Sequence, residues 1–412
     1  MHSGNRAGFI RNFLIGGVIL NRKKLLLLNG SHAEIPMIVE AKKFGWHVTT
    51  TGNDRVGIGH PYADENIFGD YSDCEFVYDL AKSLRVDAII SSCNDFAYIS
   101  TAYACEKLNL RGHDSYENAC IIHNKKNFRD VMKILDLPTP KFLVCNLVDE
   151  LPVACEKIKF PLIVKPTDLT GGKGVSVCKN LSELETAFKT AQKVTRKTSI
   201  LLEEFIDGSN HAANFFIQDQ KVLRAFFDDE QYYRNKYLVS GASSPSSLRQ
   251  FTMAEVILYV EKIAKYLKLV DGIFHVQFMV TSDGTPILID PCRRAPGDLY
   301  VRLVEHSSGF NCAKEIILSE SGLKVEIGNQ LTHRFIAREC IMANRCGIID
   351  DIFIDSKLEN KIICKMIWAK SGDEVENFLT YKAGILFLEF DNFSDMNNTL
   401  KNFNNLVRID FK

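Results

Sequence analysis

The stretch that most restricts the fold is Lys24-Leu25-Leu26-Leu27-Leu28-Asn29, an unbroken apolar run closed by Gly30-Ser31. It is too short for a buried helix and reads as a strand covered on both faces. Helical periodicity follows over residues 35–44 and a second strand over 47–51. The alternation continues with a helix at 74–84, a strand at 87–92 and a helix at 96–108. Strand–helix–strand units of this kind predict a doubly wound parallel sheet with helices on both faces. A dinucleotide site would place GxGxxG at the first turn, and Gly30-Ser31-His32-Ala33-Glu34 lacks it, which sets a nicotinamide-dependent dehydrogenase aside.

That module cannot be the whole molecule. The chain has 412 residues, and single cores stop growing at roughly 250–300, so further modules are expected. With 50 basic and 51 acidic residues the net charge is −1, which gives no bulk attraction for nucleic acid or an anionic membrane. The 12 cysteines stand singly without a CxxC pair, the usage of a reducing, cytoplasmic setting. Near the N-terminus, Arg6 and Arg11 lead into an apolar stretch at 13–20, but Arg22, Lys23 and Lys24 cut it short. It lacks a small-residue cleavage site and the ~20 residues that a span needs, so 1–22 reads as an N-terminal extension.

Beyond residue 115 the style changes. A helix is expected at 125–135, stopped by Pro138 and Pro140, then a strand at 141–144, a helix at 148–158 and a strand at 162–165. A glycine-rich turn leads to a strand at 175–177 and a helix at 181–194, where Asn180 and Glu183 form a capping-box pattern. Strands dominate 199–227, a helix is expected at 253–267, and strands follow at 272–280 and 286–291. The polar, aromatic segment 228–237 reads as a loop, either solvated or contacting an acceptor, and 240–247 as a flexible link closing over a site.

The chemistry concentrates at Val164-Lys165-Pro166 and the following Thr167-Asp168-Leu169-Thr170-Gly171-Gly172-Lys173-Gly174. Glycines and threonines between short strands let backbone N–H groups turn inward around a polyphosphate, with Lys165 and Lys173 supplying charge. A plain glycine-rich hairpin would share the glycines. It would not explain Lys165 at the end of an apolar strand, where an unpaired ammonium costs several kcal/mol.

Taken in order, Lys125 to Pro140, the Lys165 strand with its Gly171-Gly172-Lys173-Gly174 loop, Leu201-Leu202-Glu203-Glu204-Phe205-Ile206, Phe274 to Phe278 and Ile287 to Arg294 resemble the ATP-grasp superfamily, in its amino-acid ligase and carbamoyl-phosphate synthetase-like forms. The resemblance implies an α/β chain, α+β in its nucleotide domain. A doubly wound PreATP-grasp domain (23–118) would precede the ATP-grasp domain (119–325, divided at 205/206) and a small C-terminal α/β cap (326–412). ATP would be held by Lys125, Lys165 and the loop residues Thr170, Gly171, Gly172 and Gly174. Glu203 would take the adenine amino group, the backbones of Glu204 and Ile206 would read the adenine edge beside Phe205, and Asn210 would meet the ribose in place of the usual glutamate. Gln277 and Asp290 would hold Mg2+ or Mn2+, with Cys292 standing where relatives have asparagine; a soft thiol is a poor ligand for that ion. Arg294 would steady the transferred phosphoryl group, assisted by Lys173. His275, two residues before Gln277 on the same strand face, would position substrate or sit satisfied in the core.

The reaction so implied is activation of a small carboxylate as an acyl phosphate, attacked by an amine to give an amide, ADP and phosphate. The alternatives are a purine-pathway type of carboxylation or formyl transfer, and a non-catalytic nucleotide-binding protein. No Ser/His/Asp nucleophile is required. The partners expected are small-molecule substrates, with no nucleic acid and no membrane, and a homodimer is the default closed assembly.

Overall fold

The computed structural model describes residues 22–169, 171–325, 328 and 331–412; the apolar stretch at 13–20 and Thr170 lie outside them. Strands β1 (Lys24–Leu28), β2 (His47–Thr51), β3 (Glu65–Asn66) and β4 (Ala88–Ile90) form a parallel sheet in the order β3-β2-β1-β4. Along β1 the side chains alternate between two cores. Leu25 and Leu27 pack with Met37 and Ile38 of α1 (Ile35–Lys43), whereas Leu26 and Leu28 pack with Val77 of α2 (Cys74–Leu84) and Ala97 of α3 (Asp95–Leu108). The α1 side is completed from far along the chain by α10 (Cys312–Glu320).

At the first turn, where a dinucleotide's phosphates would sit, the buried Glu34 carboxylate accepts from Ser31 N (2.8 Å), Ser31 Oγ (2.6 Å), Asn29 Nδ2 (3.1 Å) and Cys93 N (3.0 Å). A resident anion occupies the donors that a pyrophosphate would need.

Helices α4 (Tyr116–His123), which sequence reading passes over, and α5 (Lys125–Ile134) lead into a second sheet. It contains β5 (Phe142–Cys145), β6 (Leu162–Pro166), β7 (Ser176–Cys178) and β8 (Ile200–Glu204), ordered β5-β8-β6-β7 and packed against α6 (Leu151–Lys157) and α7 (Leu181–Val194). Asn180 caps α7 by accepting from Glu183 N at 2.9 Å, and the Glu183 carboxylate takes Asn180 Nδ2 and Lys179 N in return.

The largest sheet has eight strands in the order β13-β12-β9-β10-β11-β14-β18-β16. They are β9 (Gly208–Gln218), β10 (Lys221–Gln231), β11 (Gly241–Ser244), β12 (Gly272–Thr281), β13 (Pro286–Cys292), β14 (Phe335–Met342), β16 (Ile362–Ile367) and β18 (Lys382–Phe390). Helix α8 (Gln250–Tyr266) packs on one face, and α9 (Tyr300–Ser308) lies with α10 in the core shared with the first sheet. Strands β15 (Gly347–Ile354), β17 (Glu374–Val375) and β19 (Val407–Phe411) make a small third layer with α11 (Phe393–Lys401) and α12 (Phe403–Leu406). Residues 331–412 therefore also extend the eight-stranded sheet through β14, β16 and β18.

Two loop expectations are corrected. Asp228 to Gln231 belong to β10, with Asp228 buried, because they pair with β9 and β11. Ser240 and Ser243 are buried too, and Gly241–Ser244 is an interior strand between β10 and β14, so this is no flexible link. Among the described residues no helix is long and apolar enough to cross a membrane.

Candidate active site

Helix α5 opens behind Asn124, whose side chain accepts from Asn127 N. Lys125 at its first position and Arg129 one turn later fall on its buried face with Phe128 and Met132. The helix thus carries two cations toward the space between the second and third sheets. Lys125 Nζ meets Asp290 Oδ1 at 2.9 Å, and Arg129 Nε meets Glu203 Oε1 at 2.6 Å. Lys165, at the end of β6, reaches the other oxygen of Glu203 at 2.6 Å.

Glu203 is therefore clamped between two cations. Burial works to raise its pKa, but Arg129 and Lys165 reverse this and bring it down to about 2. With 0% of the residue exposed, its side chain is an ion-pair anchor that orients Lys165 at the wall of the cavity between the sheets. Arg129 was missed at the sequence level. Its signal is legible in hindsight: a basic residue at i+4 from Lys125, on the apolar face of α5.

A cavity of 540 Å3 opens between the sheets, walled by Lys125, Lys165, Gly172, the 203–206 hinge, Asn210, Gln277 and Asp290. The hinge is braced by Glu204 N donating to Lys141 O at 2.9 Å and Phe205 N to Pro161 O at 3.1 Å. In the loop, Gly171, Gly172 and Gly174 all have positive φ. A Cβ on Gly172 would stand 2.6 Å from Tyr237 O, so the bare glycine lets the loop lie against residue 237. Gly174 and the exposed Lys173 do not line this cavity.

A second cavity of 270 Å3 holds His275, Cys292, Arg294 and Gly171. Arg294 Nε is tied to Asp95 Oδ1 at 2.7 Å, and Asp95 also faces His123 Nδ1 at 2.9 Å. Burial opposes the charge on Asp95, yet Arg294 and His123 hold its carboxyl well below the usual range. Asp95, another missed residue, had no sequence signal, since it opens α3 in a module remote from the motifs. Burial pushes His275 down to about 3, aided by Arg294, so its ring is neutral. Its Nδ1 has no hydrogen-bond partner among the described residues. Arg338 lines the same cavity, with Nη1 3.7 Å from Asp298 Oδ2.

The two cavities share Gly172, Glu230, Tyr237, Gln277 and Asp290. Gln277 and Asp290 are register partners on β12 and β13, and Gln277 Nε2 donates to Glu230 Oε1 at 2.6 Å. Burial pushes Glu230 up to about 7, against hydrogen bonds from Tyr232 and Gln277. This junction offers hard oxygen donors suited to Mg2+. Cys292 is not among them: burial pushes its thiol up to about 12, and its Sγ faces Arg294 O at 3.7 Å. Among the described residues no three His, Cys, Asp or Glu side chains converge into a metal cage.

One arrangement has the order of a nucleophile triad, although the expected reaction requires none. Ser209 Oγ lies 2.6 Å from His211 Nε2, and His211 Nδ1 lies 2.8 Å from Asp229 Oδ1. None of the three lines either cavity. Asp229 is also bound by Ser246 Oγ (2.5 Å) and Ser247 N (2.9 Å), so the string fastens β10 to the approach to α8.

The cleft between the two sheets is bordered by glycine-rich-loop residues and joined to a second cavity through a carboxylate–amide wall. Residues 158–299 match the ATP-grasp domain family, and the chain has an α/β fold. It is 27% identical over 266 residues to the formate-dependent phosphoribosylglycinamide formyltransferase of Prochlorococcus marinus subsp. pastoris, covering 63% of this chain. That match spans 66% of the relative's own length, just short of two thirds. In structure it is similar to the L-amino acid ligase of Bacillus licheniformis (TM-score 0.81, 19% identity, 95% of this chain and 99% of that one). It is also similar to the biotin carboxylase domain of Hydrogenobacter thermophilus 2-oxoglutarate carboxylase, solved with MgADP and bicarbonate (TM-score 0.75, 19% identity, 94% and 90%).

Proposed function

We propose that the protein is an ATP- and Mg2+-dependent ligase that activates a small carboxylate as an acyl phosphate and passes the acyl group to an amine. The observation that carries this reading is the shared wall. Nucleotide phosphates entering between Lys125, Lys165 and Gly172 would end at Gln277 and Asp290, which also face the second cavity. A carboxylate there would attack the γ-phosphorus, releasing ADP; the amine would then attack the acyl carbon and release phosphate. Bound Mg2+, held by Asp290 and the Gln277 carbonyl, would neutralise phosphate charge. The chain's own work is positioning and charge compensation: the Lys165–Glu203–Arg129 clamp fixes one ammonium, and Asp95 fixes the Arg294 guanidinium beside the reacting group.

The second cavity favours an unphosphorylated amine. Among the described residues its cations are Arg294 and Arg338, faced by Asp95, Glu230, Asp290 and Asp298. Arg294 is paired with Asp95, and Arg338 lies beside Asp298. Asp290 and Asp298 are paired in turn with Lys125 and Lys382, so among the described residues Glu230 is the lining carboxylate without an ion-pair partner, and it would draw in an ammonium. The second reading, formyl transfer, is supported by the curated relatives, with formate as the acid.

Phosphate and ADP release from Mg-ATP, measured against pooled acids and amines with separate formate and bicarbonate arms and Asp290→Ala as blank, tests both. Release needing an acid and an unphosphorylated amine supports the first reading. Release only with formate and a phosphorylated amine supports the second. Silence in every arm, with nucleotide still raising Tm, overturns both in favour of a binding protein.

A further inference from the structure

The metal wall departs from two hard carboxylates on adjacent strands: β12 presents the neutral Gln277 opposite Asp290. An amide supplies an oxygen but no charge, leaving Asp290 alone to balance a divalent ion and a polyphosphate. The third sheet restores the balance from another strand. Across β10, β9, β12 and β13 the register aligns Asp228, Ala212, Gln277 and Asp290 in one row. Between Asp228 and Gln277 the row holds only the methyl group of the buried Ala212. Two residues beyond Asp228, on the same face, Glu230 reaches Gln277.

We propose that Glu230, reaching from β10, is the second carboxylate of the Mg2+ site and replaces the charge that Gln277 lacks. This rests on the ligase reading of the same cleft. Three observations support it. Glu230 lines both cavities at their junction with Asp290. Its hydrogen bond takes the Gln277 Nε2 group and leaves the amide's carbonyl oxygen as the remaining donor. His275, 7% exposed, leaves Nδ1 unpartnered at the adjoining cavity, the mark of a space shaped for a ligand. In a purely structural role Glu230 would simply tie Tyr232 to Gln277, a pairing it makes at 2.6 Å on each side.

Mn2+ binding to the full chain, read by electron paramagnetic resonance with and without ADP, separates the two roles. Glu230→Gln keeps a hydrogen-bonding side chain but removes the charge. We expect it to weaken Mn2+–ADP binding by about tenfold or more, without weakening ADP binding in EDTA. Placing the carboxylate back on β12 in Glu230→Gln/Gln277→Glu should recover most of the Mn2+ affinity. Should Glu230→Gln fail to fold, Glu230→Asp, which shortens the reach and keeps the charge, is expected to show the same selective loss. Wild-type Mn2+ affinity in Glu230→Gln, with Asp290→Asn losing it, overturns this proposal and leaves the ligase reading intact. Absence of any ADP binding by the wild-type chain removes both.

Discussion

Lys125 and Asp290, 165 residues apart in sequence, meet at 2.9 Å on the floor of the nucleotide cleft. A lysine suited to phosphate and an aspartate suited to a metal thus neutralise each other. Binding of Mg2+ and ATP would trade this pair for two charge-assisted contacts. Lys125→Met is expected to raise the Kd for ADP about tenfold, the size of one such contact. The urea midpoint should barely move, because the Asp290 side chain is 29% exposed and can turn to water. Calorimetric titration and urea unfolding on the same preparation check both halves.

The Arg129–Glu203–Lys165 cluster is different in kind. Arg129 and Glu203 are fully buried, so removing one partner strands the others. Arg129→Met should destabilise the fold by about 3–5 kcal/mol, measured by urea denaturation. A loss below ~1 kcal/mol would show that the pair is wetter than its burial implies.

The same cluster sets an acid limit. Glu203 is depressed to about 2 from an unfolded value near 4.5. The unfolded state therefore takes up its proton first as pH falls. The stabilisation is complete above ~4.5, declines below it and is gone beneath about 2. Wild-type Tm should accordingly fall more steeply than that of Glu203→Gln between pH 4.5 and 2. Parallel melting curves across that window would count against the ionised clamp.

The loop glycines should separate strain from contact. Both Gly171 and Gly172 have positive φ, but a Cβ on Gly171 meets nothing within 4 Å, whereas one on Gly172 meets Tyr237 O. Gly171→Ala carries only the backbone penalty, ~1–2 kcal/mol, while Gly172→Ala also pushes the loop off residue 237. Nucleotide affinity and turnover should fall markedly further in Gly172→Ala; equal effects would mean that this contact does not order the loop.

Local pattern carried much of the fold. The predicted spans of β2, α2 and α7 coincide with the structure, and β1, α1, α3 and α5 differ by a residue at an end, because apolar period and capping residues act within a few positions. The error at 228–231 has an equally local cause: Asp228, Asp229 and Glu230 look like a solvated loop until β9 and β11 pair with them. The motif residues Lys125, Lys165, Gln277 and Asp290 were legible by type and order, and they do line one cleft.

What the chain's own order of residues determined was the set of strands and helices and the lysine-, glycine- and carboxylate-bearing motifs, since these depend on near neighbours. What only the tertiary structure decided was partnership. Glu203 is an anchor because Arg129 and Lys165 converge on it, Arg294 is steadied by an aspartate from the first module, and Glu230 meets Gln277 across the methyl of Ala212. Such pairings depend on strand register and layer packing over long sequence separations, which no local period encodes.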